Sequence, residues 1–419
     1  MTSKFNKQKQ LEDNKTFCIF PWTHMQIRPD GAVMNCCLAD YSTGILGDAN
    51  KQTLREVWNG EKMRETRRKM LNGERLSQCS MCYAKEENND GSFRIHYNRE
   101  FADKFDDIVP TTQDDGTVEK LNIVYIDWRL SNICNFKCRS CGHYASSSWY
   151  HDEKEIHRRM HGGDLPLGPQ VERVMDKNAN FMEQLEEIEP TLEEIYFAGG
   201  EPLIMPEHWQ ILDFLESRGR FDVKIWYNTN FSQMSYKKRN VMDIWNKFEN
   251  VRVQASIDGM RERGEYIRKG MNWEQVEHNR LQMFERCPHV EFDVSATVGA
   301  LNYEHALDFY DEWYRQKGWI DARGFNWNFM FGPEHLTAFI LPQWYKEQVY
   351  EKYCKYIDKH LDVPGLRGFA NALRDRAYIP LTRDYTDKIP FFKRWTRVVD
   401  EIRNEDFQST FPELRFLYE

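Results

Sequence analysis

This chain predicts an α/β fold built as a partial (βα)6 TIM-like barrel, and three observations lead there. Strand and helix patterns alternate repeatedly between residues 120 and 335, which implies a parallel sheet with helices outside it. That many units favours a barrel over a flat doubly wound sheet. The residues of strongest chemical character fall just after strand candidates, where barrels carry their chemistry.

The strands are expected at 123–130, 194–198, 223–229, 251–257, 290–298 and 325–331, each short and apolar or alternating. Between them, apolar spacing predicts helices at 208–217, 238–248, 273–286 and 306–316. One connection departs from the repeat. About fifty residues separate Cys141 from Glu193, far more than a βα unit needs. This stretch reads either as a flap over the site or as a decorated helix pair. After residue 331 the pattern turns helical, at 343–361 and 392–403.

Residues 1–100 differ in character, with turns, two cysteine clusters and one clear helix. Thr53 and Glu56 read as a capping box, Leu54, Val57 and Trp58 form one apolar face, and Asn72-Gly73 stops the helix. The expected organisation is a cysteine-rich domain at 1–100, a linker at 101–120, the barrel at 121–335 and a helical extension at 336–419.

Composition bounds the function. The 419 residues can bury a large core, and a net charge of −9 argues against a nucleic-acid partner, which needs a basic face. The sequence shows neither an apolar signal region at its start nor an apolar run of membrane-spanning length. Ten cysteines in such a chain point to metal binding in a reducing compartment, hence a cytoplasmic protein.

Cys134, Cys138 and Cys141 form a Cys-x3-Cys-x2-Cys triplet. Electron-carrier ferredoxins space their cysteines by two, two and three residues, and structural zinc prefers Cys-x2-Cys pairs with four ligands. Three thiolates at the present spacing suit three irons of a [4Fe–4S] cluster and leave the fourth iron for an outside ligand. A second set comprises Cys18 and Cys36, linked as Cys-x12-Gly-x4-Cys through Gly31, with the chelating pair Cys79 and Cys82. Zinc and a [4Fe–4S] cluster both accept four cysteines; spacing alone leaves the choice open, and these residues taken by themselves lean to zinc. Cys37 is spare, because Cys36 holds the offset from Gly31. Cys287 and Cys354 lie on helix patterns and read as inert thiols.

The triplet after a strand, followed by Tyr-Phe-Ala-Gly-Gly-Glu-Pro at 196–202, resembles the radical S-adenosylmethionine superfamily. The likeness extends to Tyr-Asn-Thr-Asn at 227–230, Ala-Ser-Ile-Asp-Gly at 255–259, Tyr-Ile-Arg at 266–268, and Ser-Ala-Thr-Val at 295–298 with Asn302. The N-terminal cysteines look like the auxiliary-cluster module called twitch, the short relative of SPASM, here placed ahead of the barrel. The resemblance implies a [4Fe–4S] cluster that binds S-adenosylmethionine, S-adenosylmethionine itself, and a second, auxiliary [4Fe–4S] cluster in place of zinc. It implies cleavage of S-adenosylmethionine to a 5′-deoxyadenosyl radical, with the cofactors carrying the difficult step.

On the same resemblance, Gly199 and Gly200 allow close backbone approach to the methionine moiety. Glu201, with Pro202 behind it, offers a carboxylate or its adjacent backbone to the amino group. Asn228 and Ser256 suit ribose or carboxylate hydrogen bonds. Asp258 closes its strand in the cofactor-binding set, and Arg268 would pair with the methionine carboxylate or else coat a helix surface. The family often has a large apolar residue before the last cysteine; here it is Ser140, so adenine packing is sought from Tyr144 or Phe136. No catalytic residue beyond the cofactor ligands is assigned.

Relatives of this kind act on peptides and proteins or on small molecules. The expected reaction is hydrogen abstraction from a peptide or protein, leading to crosslinking, epimerisation or oxidation. Oxidation or rearrangement of a small molecule such as an aminocyclitol, sugar or nucleotide is the alternative. A non-catalytic electron-transfer module stands as a third reading, which the intact Gly-Gly-Glu-Pro opposes. A flavodoxin- or ferredoxin-type donor would supply the electron.

Overall fold

The computed structural model describes residues 5–87, 91–174 and 180–418. The chain divides into two compact units. The first comprises residues 1–132, 172–199 and 206–226, the second 133–171, 200–205 and 227–419.

In the first unit, strands Ile45–Asp48, Ala32–Met34, His24–Ile27, Tyr125–Trp128 and Glu194–Phe197 lie side by side in that order. The first three pair antiparallel, and His24–Ile27 then pairs in parallel with Tyr125–Trp128. The cysteine-rich segment thus extends the sheet that begins at the first barrel strand. Its register sets Gln26 opposite Asp127, and Asp127 opposite Tyr196. All four residues of His24–Ile27 are buried, so this strand has no amphipathic alternation.

The capping box is present: Glu56 N–H donates to the Thr53 side chain, and Thr53 N–H donates to Glu56 Oε2 at 2.7 Å. The expected single helix is two, Leu54–Trp58 and Glu61–Leu71, because Gly60 caps the second in extended conformation. Residues 101–120, read as a linker, are packed: Phe105, Val109 and Val118 are fully buried, and Trp58 Nε1 donates to the Val118 carbonyl at 3.0 Å.

The strand Lys224–Thr229 carries the chain from the first unit into the second. There Val251–Ala255, Glu291–Val298 and Phe325–Phe329 run parallel in that order, separated by helices that include Trp273–Arg286 and His305–Asp311. The six strands expected between 120 and 335 are present, giving the α/β partial barrel, and the C-terminal region is helical at Gln343–His360, Arg367–Tyr378 and Ile389–Arg403. The second-unit strands alternate strictly. Val251, Val253 and Ala255 are buried while Arg252 and Gln254 stay half-exposed, and Phe292, Val294, Ala296 and Val298 alternate with Asp293, Ser295 and Thr297. Parallel strands are ordinarily apolar on both faces. Here only one face packs against apolar neighbours, and the other remains polar.

Within the long stretch after Cys141, helix Tyr150–His161 ends at Gly162, whose φ is +76°. Trp149, Ile156 and Met160 pack against Val398 and Val399 of Ile389–Arg403. The connection is therefore anchored here as a packed helix. The helix Phe181–Ile188 lies in the first unit, where Leu54 N–H donates to Gln184 Oε1 at 2.7 Å. Among the described residues, no helix is long and apolar enough to cross a membrane.

Candidate functional site

In the first unit, Cys18 precedes the turn Phe20–Thr23, Cys36 follows strand Ala32–Met34, and Cys79 and Cys82 sit where Ser77–Cys79 runs into helix Ser80–Glu87. All four line one cavity, with Phe20, Asn35 and Arg94 among its other walls; Cys37 is not on that lining. The thiols surround a space: among the described residues, no three His, Cys, Asp or Glu side chains converge closely enough for a single metal ion. Burial pushes the Cys79 thiol up to about 12 and raises Cys18 as well. Such thiols ionise when a metal replaces the proton. Arg94 braces the walls. It is bidentate to Glu86 at 2.9 and 2.5 Å and donates to the Phe17 carbonyl at 2.9 Å, which ties the segment before Cys18 to the helix bearing Cys82.

In the second unit, Cys134, Cys138 and Cys141 lie on a loop whose one regular stretch, Lys137–Cys138, pairs antiparallel with Arg268–Lys269. Serine hydroxyls fix its carbonyls: Ser148 donates to Cys134 O and Ser146 to Phe136 O, both at 2.6 Å. Trp149 Nε1 donates to Cys138 O at 2.9 Å. Burial pushes the Cys134 thiol up to about 12. The Cys138 and Cys141 thiols share a hydrogen bond, and the Arg268 cation beside them favours the thiolate at both.

Glu201 is 1% exposed. Its Oε1 accepts from Thr229 Oγ1 at 2.7 Å and from Leu203 N–H at 3.0 Å, and its Oε2 accepts from Asn230 N–H at 2.5 Å. Its own N–H donates to Ile133 O at 2.7 Å. Burial outweighs these bonds and pushes its carboxyl up to about 7. Pro202 behind it starts the buried turn Pro202–Ile204.

Asp258 is buried and accepts from Thr297 N–H at 2.7 Å, and its carbonyl accepts from Asn302 Nδ2 at 2.7 Å. Arg268 is buried too, which overturns the surface reading. Its Nη2 donates to Asp258 Oδ1 at 2.9 Å, its Nε lies 2.8 Å from Oδ2, and its Nη1 reaches Cys138 Sγ at 3.6 Å. Asn228 and Ser256 are half-exposed at the ends of their strands, and Asn228 Oδ1 is buried without a hydrogen-bond partner. In the first unit, Gly199 has φ +117°, and a Cβ there would lie 3.0 Å from Ser131 O. Gly200 is half-exposed. Of the residues considered for adenine packing, Phe136 is buried and Tyr144 is 66% exposed. Cys287 is buried and Cys354 half-buried.

Sequence reasoning missed Asn230, which donates to Asn135 Oδ1 at 2.9 Å and faces Cys134 Sγ at 4.0 Å. It closes the Tyr-Asn-Thr-Asn run, so its position was visible but its role was not. Arg139 was missed as well; the one available signal was the pair of cations, Lys137 and Arg139, flanking Cys138.

The donor sets fit the groups implied: three thiols on one loop and four around a cavity. This is the equipment of an iron–sulfur enzyme that works on S-adenosylmethionine. Residues 128–311 match the radical SAM superfamily and residues 18–83 match SPASM, an iron–sulfur cluster-binding domain. The chain thus carries a radical SAM domain with an SPASM domain ahead of it. Those domains imply a [4Fe–4S] cluster that binds S-adenosylmethionine, S-adenosylmethionine itself, and an auxiliary cluster.

No curated protein matches the chain. Among solved structures, anSMEcpe with bound AdoMet and the Cp18Cys peptide is similar at 16% identity over 56% of this chain and 61% of that one, with a TM-score of 0.33. Streptococcus suis SuiB bound to its precursor peptide SuiA is similar at 11% identity over 80% and 70%, TM-score 0.33. TYW1 with a lysine–pyruvate adduct follows at 14% over 46% and 59%, TM-score 0.25. The match spans about 61% of the length of the first of these.

Proposed function

We propose that the enzyme abstracts a hydrogen atom from a peptide or protein and thereby crosslinks, epimerises or oxidises it. The observation that carries this reading is the polar face of the second unit's strands. Gln254, Ser295, Asn326 and Asn328 all stand on it half-exposed or exposed, and Asn328 Nδ2 donates to Ser295 Oγ at 3.0 Å. Carboxamides both donate and accept, which complements the amides of a peptide backbone. This face leads to the carboxyl ends of the strands, where Asp258 and Arg268 follow.

When bound, the cluster and S-adenosylmethionine supply one-electron cleavage of a sulfonium carbon–sulfur bond. The chain's residues do the rest. Cys134, Cys138 and Cys141 hold the cofactor cluster, and Cys18, Cys36, Cys79 and Cys82 hold the auxiliary one. The backbone at Gly199 and Gly200 admits the methionine moiety, Asn228 and Ser256 hydrogen-bond it, and Glu201 locks the turn that presents it. Asp258 holds Arg268 against the Cys138 sulfur. A flavodoxin- or ferredoxin-type protein donates the electron, in the cytoplasm.

The test has two stages. Anaerobic, dithionite-reduced protein should convert S-adenosylmethionine to 5′-deoxyadenosine. Candidate peptides encoded beside the enzyme should then gain a mass change: loss of two hydrogens, or deuterium incorporation from D2O for epimerisation. Turnover with a small molecule and none with any peptide would overturn the substrate class.

A further inference from the structure

Three cluster ligands on an eight-residue loop need a rigid support, and the two-residue pairing at Lys137–Cys138 is a short one. Further support comes from the far end of the chain. Arg139 Nη2 donates to Asp400 Oδ1 at 2.5 Å and to Glu405 Oε2 at 2.7 Å, and its Nε donates to Tyr266 O at 3.2 Å. Its Cζ sits 3.7 Å from the centre of the Tyr266 ring, whose hydroxyl donates to the same Asp400 oxygen at 2.7 Å. The Arg139 side chain is 1% exposed, Asp400 11% and Glu405 9%, so this is an interior ion cluster.

Lys137 is held likewise. Its Nζ donates to Asp152 Oδ1 at 2.8 Å, and Arg403 Nε donates to the other oxygen of Asp152 at 3.0 Å while its Cζ lies 4.4 Å over Trp149. Side chains alternate along extended backbone. Lys137 and Cys138 therefore leave the strand on opposite sides, and Arg139 begins the turn closed by Cys141 N–H on Cys138 O at 3.0 Å. Arg139 N–H also donates to Ile267 O at 2.8 Å, directly before Arg268.

We propose that the C-terminal segment 400–405 is a working part of the cofactor-cluster site. Asp400 and Glu405 hold Arg139, and Arg139 acts as a positioning residue that sets the backbone presenting Cys138 and Cys141. Buried ions stripped of one partner are strongly unfavourable, so the grip is lost as a unit when one member is removed.

The test uses the full chain with both clusters, and it reads iron release to excess chelator together with the electron paramagnetic resonance of the dithionite-reduced protein with and without S-adenosylmethionine. Arg139→Gln should release about half its iron, roughly four of eight atoms, at least about tenfold faster than the parent chain. The remaining half should leave at the unchanged rate of the auxiliary site, and the spectrum of the fast-released cluster should change. Asp400→Asn should show the same selective acceleration, and Asp400→Glu should restore slow release. Parent-like release and spectra in both Arg139→Gln and Asp400→Asn would overturn the proposal. So would equal acceleration of both iron pools, which marks a general loss of fold.

Discussion

Arg268 and Asp258 form a buried ion pair in which Nη2 donates to Oδ1 at 2.9 Å and Nε lies 2.8 Å from Oδ2, and the third guanidinium nitrogen reaches Cys138 Sγ at 3.6 Å. Both partners are buried, so each charge depends on the other. The pair joins the end of one strand to the loop that carries a cluster ligand. Arg268 is thereby a fixed cation beside a thiolate, and hydrogen bonds and charge at cluster sulfurs set reduction potential.

Asp258→Asn leaves Arg268 uncompensated. Breaking a buried pair from one side costs roughly 3–5 kcal/mol, and thermal unfolding should show it. In the folded fraction the added positive charge should raise the midpoint of the cofactor cluster in a redox titration followed by electron paramagnetic resonance. Production of 5′-deoxyadenosine should fall with it. A parent-like midpoint would mean that the pair is structural only.

Glu201 gives a pH dependence whose sign follows from its burial. Its carboxyl is pushed up from 4.5 to about 7. Between those values the folded chain holds a proton that the unfolded chain has released. Stability therefore falls as pH rises from about 4.5 and levels off above about 7, by roughly 3 kcal/mol in all. Comparison with Glu201→Gln isolates this contribution, because the variant has nothing to titrate. The stability of the parent relative to the variant should decline between pH 5 and pH 8. A flat difference would show that Glu201 is ionised throughout.

The barrel strands and the cysteine triplet were legible for one reason: each is a local pattern. Val251 to Ala255 alternates within five residues, and Cys134 to Cys141 spans eight. The strand His24–Ile27 was not legible, since it is short, buried throughout and paired with a partner about a hundred residues away. Nor was the hold on Arg139. Asp400 and Glu405 lie 261 and 266 residues further on, and charges on a helix pattern normally coat a solvated face. Arg268 lay between these cases: its motif was visible, and its partner Asp258 stood in the neighbouring motif, but only the folded loop brings Cys138 to it.

Gly199 should tolerate no side chain. At φ +117° an L-residue is strained, and its Cβ would meet Ser131 O at 3.0 Å and Arg129 Cα at 3.3 Å. Gly199→Ala should cost about 1–3 kcal/mol of stability. It should also weaken S-adenosylmethionine binding in equilibrium dialysis by at least about tenfold, with iron content unchanged. Parent-like binding would remove Gly199 from the cofactor cradle.

The adjacent cysteines Cys36 and Cys37 give the sharpest test of the auxiliary site. Cys36 lines the cavity with Cys18, Cys79 and Cys82, and Leu38 N–H donates to its sulfur at 3.4 Å, as amides do to ligating thiolates. Cys37 is half-buried off that lining. The hydrogen bond with the Cys37 thiol and burial raise Cys36 well above the ordinary range, and ligating thiols lose their proton to the metal. Cys36→Ala should therefore fall from roughly eight irons per chain to about four, with the S-adenosylmethionine-dependent Mössbauer component retained. Cys37→Ala should keep all of them. The opposite result would move the fourth ligand to Cys37, and a loss in both variants would mean that the two thiols hold the loop jointly.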